Sequence, residues 1–178
     1  MDDLVTARLV LHPLSAPEAE RVTAGEAADG DRWAPGYPTD GDRVGARRFL
    51  TTCSITGDPR PFGPYEIRRR EDGHAIGGVG FHGAPDDELS VTIGYGLIPS
   101  AYGRGFASES LRRLLRFARE RGVLRVRGDT DHGNTASQRV MTAVGMRLIA
   151  EDERLKYYSV VWDDDGTPDG AGAIPGAG

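Results

Sequence analysis

The sequence predicts a single α+β domain. Three observations carry that expectation: consecutive hairpins between Gly63 and Ile98, a helical period directly after them, and a closing strand–helix–strand succession. At 178 residues the chain suits one compact unit that buries roughly 70% of the surface its unfolded form exposes. The domain is expected over 1–162, and 163–178, rich in Gly, Pro and Asp, is expected to be a flexible tail.

The elements follow in order. Arg8 to Leu14 alternate as a strand does, and Ser15 three residues before Glu18 is a capping box that opens a first helix. The stretch 27–42 has turn composition yet contains Trp33 and Tyr37, an investment of aromatic area expected to line a substrate pocket. Thr39 or Asp40 caps a second helix, whose buried stripe is expected to be Val44, Phe49, Leu50 and Cys53. Tyr65 to Arg70, Ala75 to His82 and Leu89 to Ile98 read as strands of an antiparallel meander, with turns at Glu71-Asp72-Gly73 and Pro85-Asp86-Asp87. Leu111, Leu114, Leu115 and Ala118 then mark one face of a helix ended by Gly122. A strand over Leu124 to Thr130, a short helix stopped at Gly145 and a strand region from Met146 to Trp162 complete the domain, without internal repeats.

Composition narrows the function. A formal net charge of -5 argues against nucleic acid as the main partner, because phosphate recognition needs a basic face. No run approaches the ~18 apolar residues of a membrane span, and no secretory pattern opens the chain, so a cytoplasmic protein without membrane attachment is expected. Cys53 is the one cysteine and reads as a small buried hydrophobe, and no paired Cys or His spacing suggests a metal.

The most specific local feature is the turn from Ser100 to Ser108, where residues without bulky side chains lie between a strand exit and a helix start. Unpaired backbone N–H groups there sit at the positive end of the helix dipole, an arrangement suited to a pyrophosphate, and Arg104 can add a charge-assisted contact. A dinucleotide fingerprint fails because Ser108 replaces its third glycine and hairpins precede the turn. A P-loop fails because no Gly-Lys-Ser/Thr closes it. On the turn alone, a helix start that binds nothing remains the alternative.

Gly105 and Ala107 match the last two signature positions of the pyrophosphate loop of the GNAT superfamily of N-acetyltransferases, with Tyr102 where Gln or Arg is usual. The order of elements from about Thr6 to Val160 also resembles that superfamily. Ile93-Gly94-Tyr95 before Pro99, and Asn134 with Ser137 before Gly145-Met146, have the spacing of its branch that acetylates ribosomal-protein N-termini.

The resemblance implies a mostly antiparallel sheet splayed at the acetyl-CoA site, with helices on both faces. It implies that backbone at Tyr95, Gly96 and Leu97 holds the pantetheine, that Gly103, Arg104, Gly105, Phe106, Ala107 and Ser108 hold the pyrophosphate, and that Asn134 contacts the cofactor or caps its helix. The usual acid, a tyrosine, is replaced by Met141, so Ser137 is the expected donor to the thiolate. Thr92 stands where a glutamate commonly precedes Ile-Gly-Tyr, which leaves Asp129, His82 or water to accept the amine proton. Trp33 and Tyr37, with Tyr157-Tyr158, are expected to wall the acceptor pocket. The implied reaction takes an acetyl group from acetyl-CoA to a primary amine, a peptide N-terminus or a small molecule, without a metal, in a monomer or homodimer. The substitutions at Met141 and Thr92 keep a non-catalytic acyl-CoA-binding module as the alternative.

Overall fold

The computed structural model describes residues 1–163. Its strands are β1 (Leu4–Val5), β2 (Leu9–Pro13), β3 (Pro64–Arg69), β4 (Ala75–Phe81), β5 (Ser90–Leu97), β6 (Arg125–Asp131), β7 (Arg147–Glu151) and β8 (Leu155–Val161). Its α-helices are α1 (Ala16–Ala24), α2 (Asp40–Thr56), α3 (Phe106–Glu120) and α4 (Thr135–Ala143). The strands form one sheet in the order β1-β2-β3-β4-β5-β6-β8-β7. Every neighbouring pair is antiparallel except β5 and β6.

Local chemistry sets the helix ends. Ser15 caps α1 in a full capping box with Glu18, and Gly25 in the left-handed region closes it. Thr39 caps α2, and its backbone N–H and hydroxyl both donate to Asp42 Oδ2 at 2.8 Å. Gly105, with φ of 77°, opens α3 with no side chain capping it, and Asn134 Oδ1 caps α4 by accepting from Ser137 N–H at 3.0 Å.

Strand alternation divides the sheet into two working faces. Tyr65 and Phe81 turn toward α3, where both rings pack against Phe117. Glu66, Gly78 and Gly96 turn the other way, toward α2, whose Asp42 lies against Gly78. The apolar stripe of α3 is fully buried at Leu111, Leu114 and Ala118.

The sheet splits in its middle. β5 pairs with β4 through Ile93–Leu97 but with β6 only through Ser90–Thr92, so from Ile93 onward one edge of β5 has no strand beside it.

Several expectations are corrected. Val44 does not join the buried stripe of α2 and is 49% exposed; Ala46 and Phe49 are the buried positions, because the first turns of α2 border a cavity instead of the core. Cys53 is partly buried against the core. The strand region from Met146 is two strands, β7 and β8, and the two-residue β1 was not expected. Except for Asp163, the expected tail lies outside the described residues. Among the described residues no helix is long and apolar enough to cross a membrane, and no three His, Cys, Asp or Glu side chains converge as metal ligands.

Candidate active site

The open edge of β5 borders a cleft of about 430 Å³. Its walls are Tyr95, Gly96 and Leu97 of β5, the turn at Tyr102, Gly103 and Gly105, the first residues of α3 from Phe106 to Ser108, Asn134 at the cap of α4 and Ser137 within it. Nine of the ten residues expected to hold the donor therefore line one cleft; the exception is Arg104, whose backbone carbonyl instead accepts from Arg8 Nη1 at 2.8 Å. Gly103 and Gly105 adopt φ of 76° and 77°, a region that disfavours a side chain, and so aim the turn's backbone into the cleft. The peptide N–H groups of the first turn of α3 face the same opening without a capping side chain, which gives an anion several donors.

A brace 96 residues away in sequence holds this turn. Arg8 donates to the Arg104 carbonyl, donates through Nε to Glu109 Oε2 at 2.7 Å, and stacks its guanidinium 4.5 Å from the Phe106 ring centre. Burial raises the Glu109 carboxyl, but hydrogen bonds from Thr6 and Arg8 and the arginine charge outweigh it and hold it below its ordinary value. The sequence around Arg8 and around Glu109 carries no sign of this contact.

Tyr95 crosses the split in the sheet. Its hydroxyl donates to the Ser137 carbonyl at 3.0 Å and lies 2.7 Å from Ser137 Oγ, so the expected acid is part of a two-hydroxyl pair. Burial pushes the Tyr95 phenol up to about 12, against a smaller opposing effect of the Ser137 hydrogen bond, and keeps the proton on. Met141, the position without the usual tyrosine, is buried with its sulfur 3.5 Å from where a Cβ on Gly128 would stand.

A second cavity, of about 240 Å³, opens on the α2 face of the same strands. Tyr95 and Gly96 line both cavities. Gly78 and Gly80 of β4 pair with Gly96 and Gly94 of β5, so its floor carries no side chains there. His82 and Arg48 stand at one side, with His82 Nε2 3.0 Å from the position of a Cβ on Gly94. Burial lowers the His82 pKa, the Arg48 charge lowers it further and Asp129 opposes both, so the ring is neutral near pH 7.

Tyr37 lines this cavity, and Trp33 packs edge-on against it with ring centres 5.4 Å apart, lining neither cavity. Asp129 is exposed on the diverging part of β6 and acts on His82 by charge alone. Tyr157 donates to Asp152 at 2.6 Å and Tyr158 is buried in the core, so neither late tyrosine lines this cavity.

The residue missed at the sequence level is Asp42. Its Oδ2 completes the cap of α2, while Oδ1 comes within 2.5 Å of the place a Cβ on Gly78 would occupy, over the cavity floor. Burial pushes its carboxyl up to about 6; the Thr39 hydrogen bonds oppose this and the Glu66 charge adds to it.

A mixed sheet opened beside an uncapped helix start, with cavities on both faces of the opened strand, defines the acyl-CoA-dependent acetyltransferase class of fold. The chain belongs to the acetyltransferase (GNAT) domain family, which matches residues 8–147. It is 27% identical over 101 residues to YjdG, an uncharacterized N-acetyltransferase of Bacillus subtilis; the match covers 56% of this chain and 60% of YjdG. Its fold is that of the ribosomal-protein-S5-alanine acetyltransferase from Vibrio fischeri, with a TM-score of 0.68 at 13% identity over 94% of this chain and all of that one. RimL, a ribosomal α-N-protein acetyltransferase crystallised with coenzyme A, gives a TM-score of 0.65 at 18% identity over 90% of this chain and 98% of its own.

Proposed function

We propose that the protein transfers an acetyl group from acetyl-CoA to a primary amine by direct attack in a ternary complex. The observation that carries this reading is the meeting of the two cavities at Tyr95 and Gly96, which allows donor and acceptor to approach one strand from opposite faces. Holding both reactants in that geometry supplies much of the acceleration such a reaction needs.

In this reading the diphosphate rests on the N–H groups around Gly103 to Ser108, beside Asn134, and Arg104 adds charge from outside the cleft. The pantetheine arm follows the open edge of β5 from Leu97 to Tyr95, where a backbone N–H polarises the thioester carbonyl. Ser137, coupled to the Tyr95 hydroxyl, donates a proton to the departing thiolate. His82, neutral near pH 7, accepts a proton from the amine with Asp129 adjusting its basicity, and Tyr37, supported by Trp33, walls the acceptor side. The acceptor is a peptide N-terminus or a small amine. RimL's complex with coenzyme A supports the donor.

CoA release measured with a panel of free-N-terminal peptides and small amines tests the reading. Acceptor-dependent release is expected; tight acetyl-CoA binding with no release on any acceptor would make the protein an acyl-CoA-binding module instead.

A further inference from the structure

We infer that the acceptor is a cationic amine, whose ammonium group is held and first deprotonated by Asp42. The inference rests on the acetyl-transfer reading for the chemistry that follows, but the recognition of a cation is argued from the cavity itself.

Position comes first. Asp42 Oδ1 lies over Gly78, and Gly78 is the direct cross-strand partner of Gly96, the residue at which the two cavities meet. Such partners are about 5 Å apart, so the carboxylate stands one strand spacing from the meeting point. A Cβ on Gly96 would meet nothing within 4 Å, so the space between that strand and the carboxylate is open to a small head group.

Charge comes second. Oδ2 is committed to Thr39, and among the described residues no Lys, Arg or His forms an ion pair with Asp42. The neighbouring carboxylate, Glu66 of β3, is already matched by Arg68 at 2.6 Å and by a hydrogen bond from Tyr37. The other charged or titratable groups lining the cavity are Arg48 of α2, His82 at the end of β4, and the phenols of Tyr65 and Tyr95. A partly buried carboxylate without a cation is costly, and an incoming ammonium group relieves that cost. The raised proton affinity of Asp42 suits it to take a proton from an ammonium ion placed against it.

The protons balance. The ammonium nitrogen gives its first proton to Asp42 and becomes the nucleophile; the C–N bond forms as the C–S bond breaks. The nitrogen's second proton goes to His82, and the thiolate takes one from Ser137, which recovers it from water. Asp42 and His82 then return their protons to solvent, leaving the amide, CoA and one net proton.

The test is equilibrium binding to the protein saturated with CoA, in which no acetyl group is available. The probes are a tripeptide amide with a free N-terminus and n-butylamine, with the N-acetylated tripeptide amide as neutral control. Wild type is expected to bind a cationic probe and to reject the control, and Asp42→Asn to weaken the cationic probe about 10- to 100-fold with CoA affinity unchanged. The Asn side chain keeps an oxygen for Thr39; if that variant fails to fold, Asp42→Ser gives the same comparison. Unchanged affinity in the variant, equal binding of the control, or no binding of either cation would overturn the inference. A wild type that binds the cation yet acetylates no amine would overturn the acetyl-transfer reading and leave the cation site standing.

Discussion

Asp42→Asn should make the protein more stable at neutral pH while impairing it, and the size of the effect follows from the cavity. The carboxyl is pushed from its ordinary 3.8 to about 6 in the folded protein, chiefly by burial. A shift of ~2 units is worth ~3 kcal/mol as a ceiling, and solvent at the cavity mouth reduces this to about 1–2 kcal/mol. Because the folded value is the higher one, folding favours the protonated acid. Wild type therefore has its full stability below about pH 4 and loses part of it as pH rises through about 6. An asparagine titrates in neither state. Thermal unfolding followed from pH 4 to 8 should show wild type and variant together at the acid end. A gap of roughly 3–6 °C in favour of the variant should open as pH rises from about 4 to about 6 and stay constant above that. A saturating cationic amine should narrow that gap by stabilising wild type more than the variant. A variant that melts with or below wild type at pH 7.5, with no gap opening as pH rises, would refute the burial argument.

The loop and the hydroxyl pair give further expectations. Gly105→Val places a branched side chain at φ of 77° beside the cleft and should abolish measurable acetyl-CoA binding by calorimetry, with the fold retained by circular dichroism. Tyr95→Phe removes the hydroxyl that pairs with Ser137 and should lower kcat at least about tenfold with acetyl-CoA affinity unchanged; an unchanged kcat would detach the pair from proton delivery. Arg8→Ala removes the brace beneath the turn and should weaken acetyl-CoA about 3- to 10-fold, because a half-exposed arginine contributes only about 1 kcal/mol through its ion pair and ring contact. Retained affinity in that variant would show that the turn holds its shape unaided.

What could be read from the sequence depended on the range of the interaction. The capping box of Ser15 and Glu18, the cap at Thr39, the meander and the left-handed glycines at 73, 105, 122 and 145 are set by residues a few positions apart, and their signals survive in the linear chain. β1 has two residues and escapes any periodicity, and all five residues of β7 are exposed, so no alternation separated it from β8. Val44 matched a helical stripe, but periodicity does not say whether a stripe faces a core or a cavity. Of the candidate site, the cleft beside β5 was legible as a group of residues because it is built mainly from one strand exit and one helix start. The Arg8 brace joins residues 101 positions apart at Glu109 and leaves no local trace. Asp42 was hidden differently: its place in a capping box accounts for one of its oxygens, and only the packing of α2 over Gly78 reveals the other.

Initial-velocity kinetics with acetyl-CoA and a productive amine, both varied, test most directly whether two reactants meet across β5. Intersecting double-reciprocal lines, with no acetyl group on the protein by mass spectrometry when acetyl-CoA is present alone, are the expected result. Parallel lines together with an acetylated protein would contradict direct transfer at Tyr95 and Gly96.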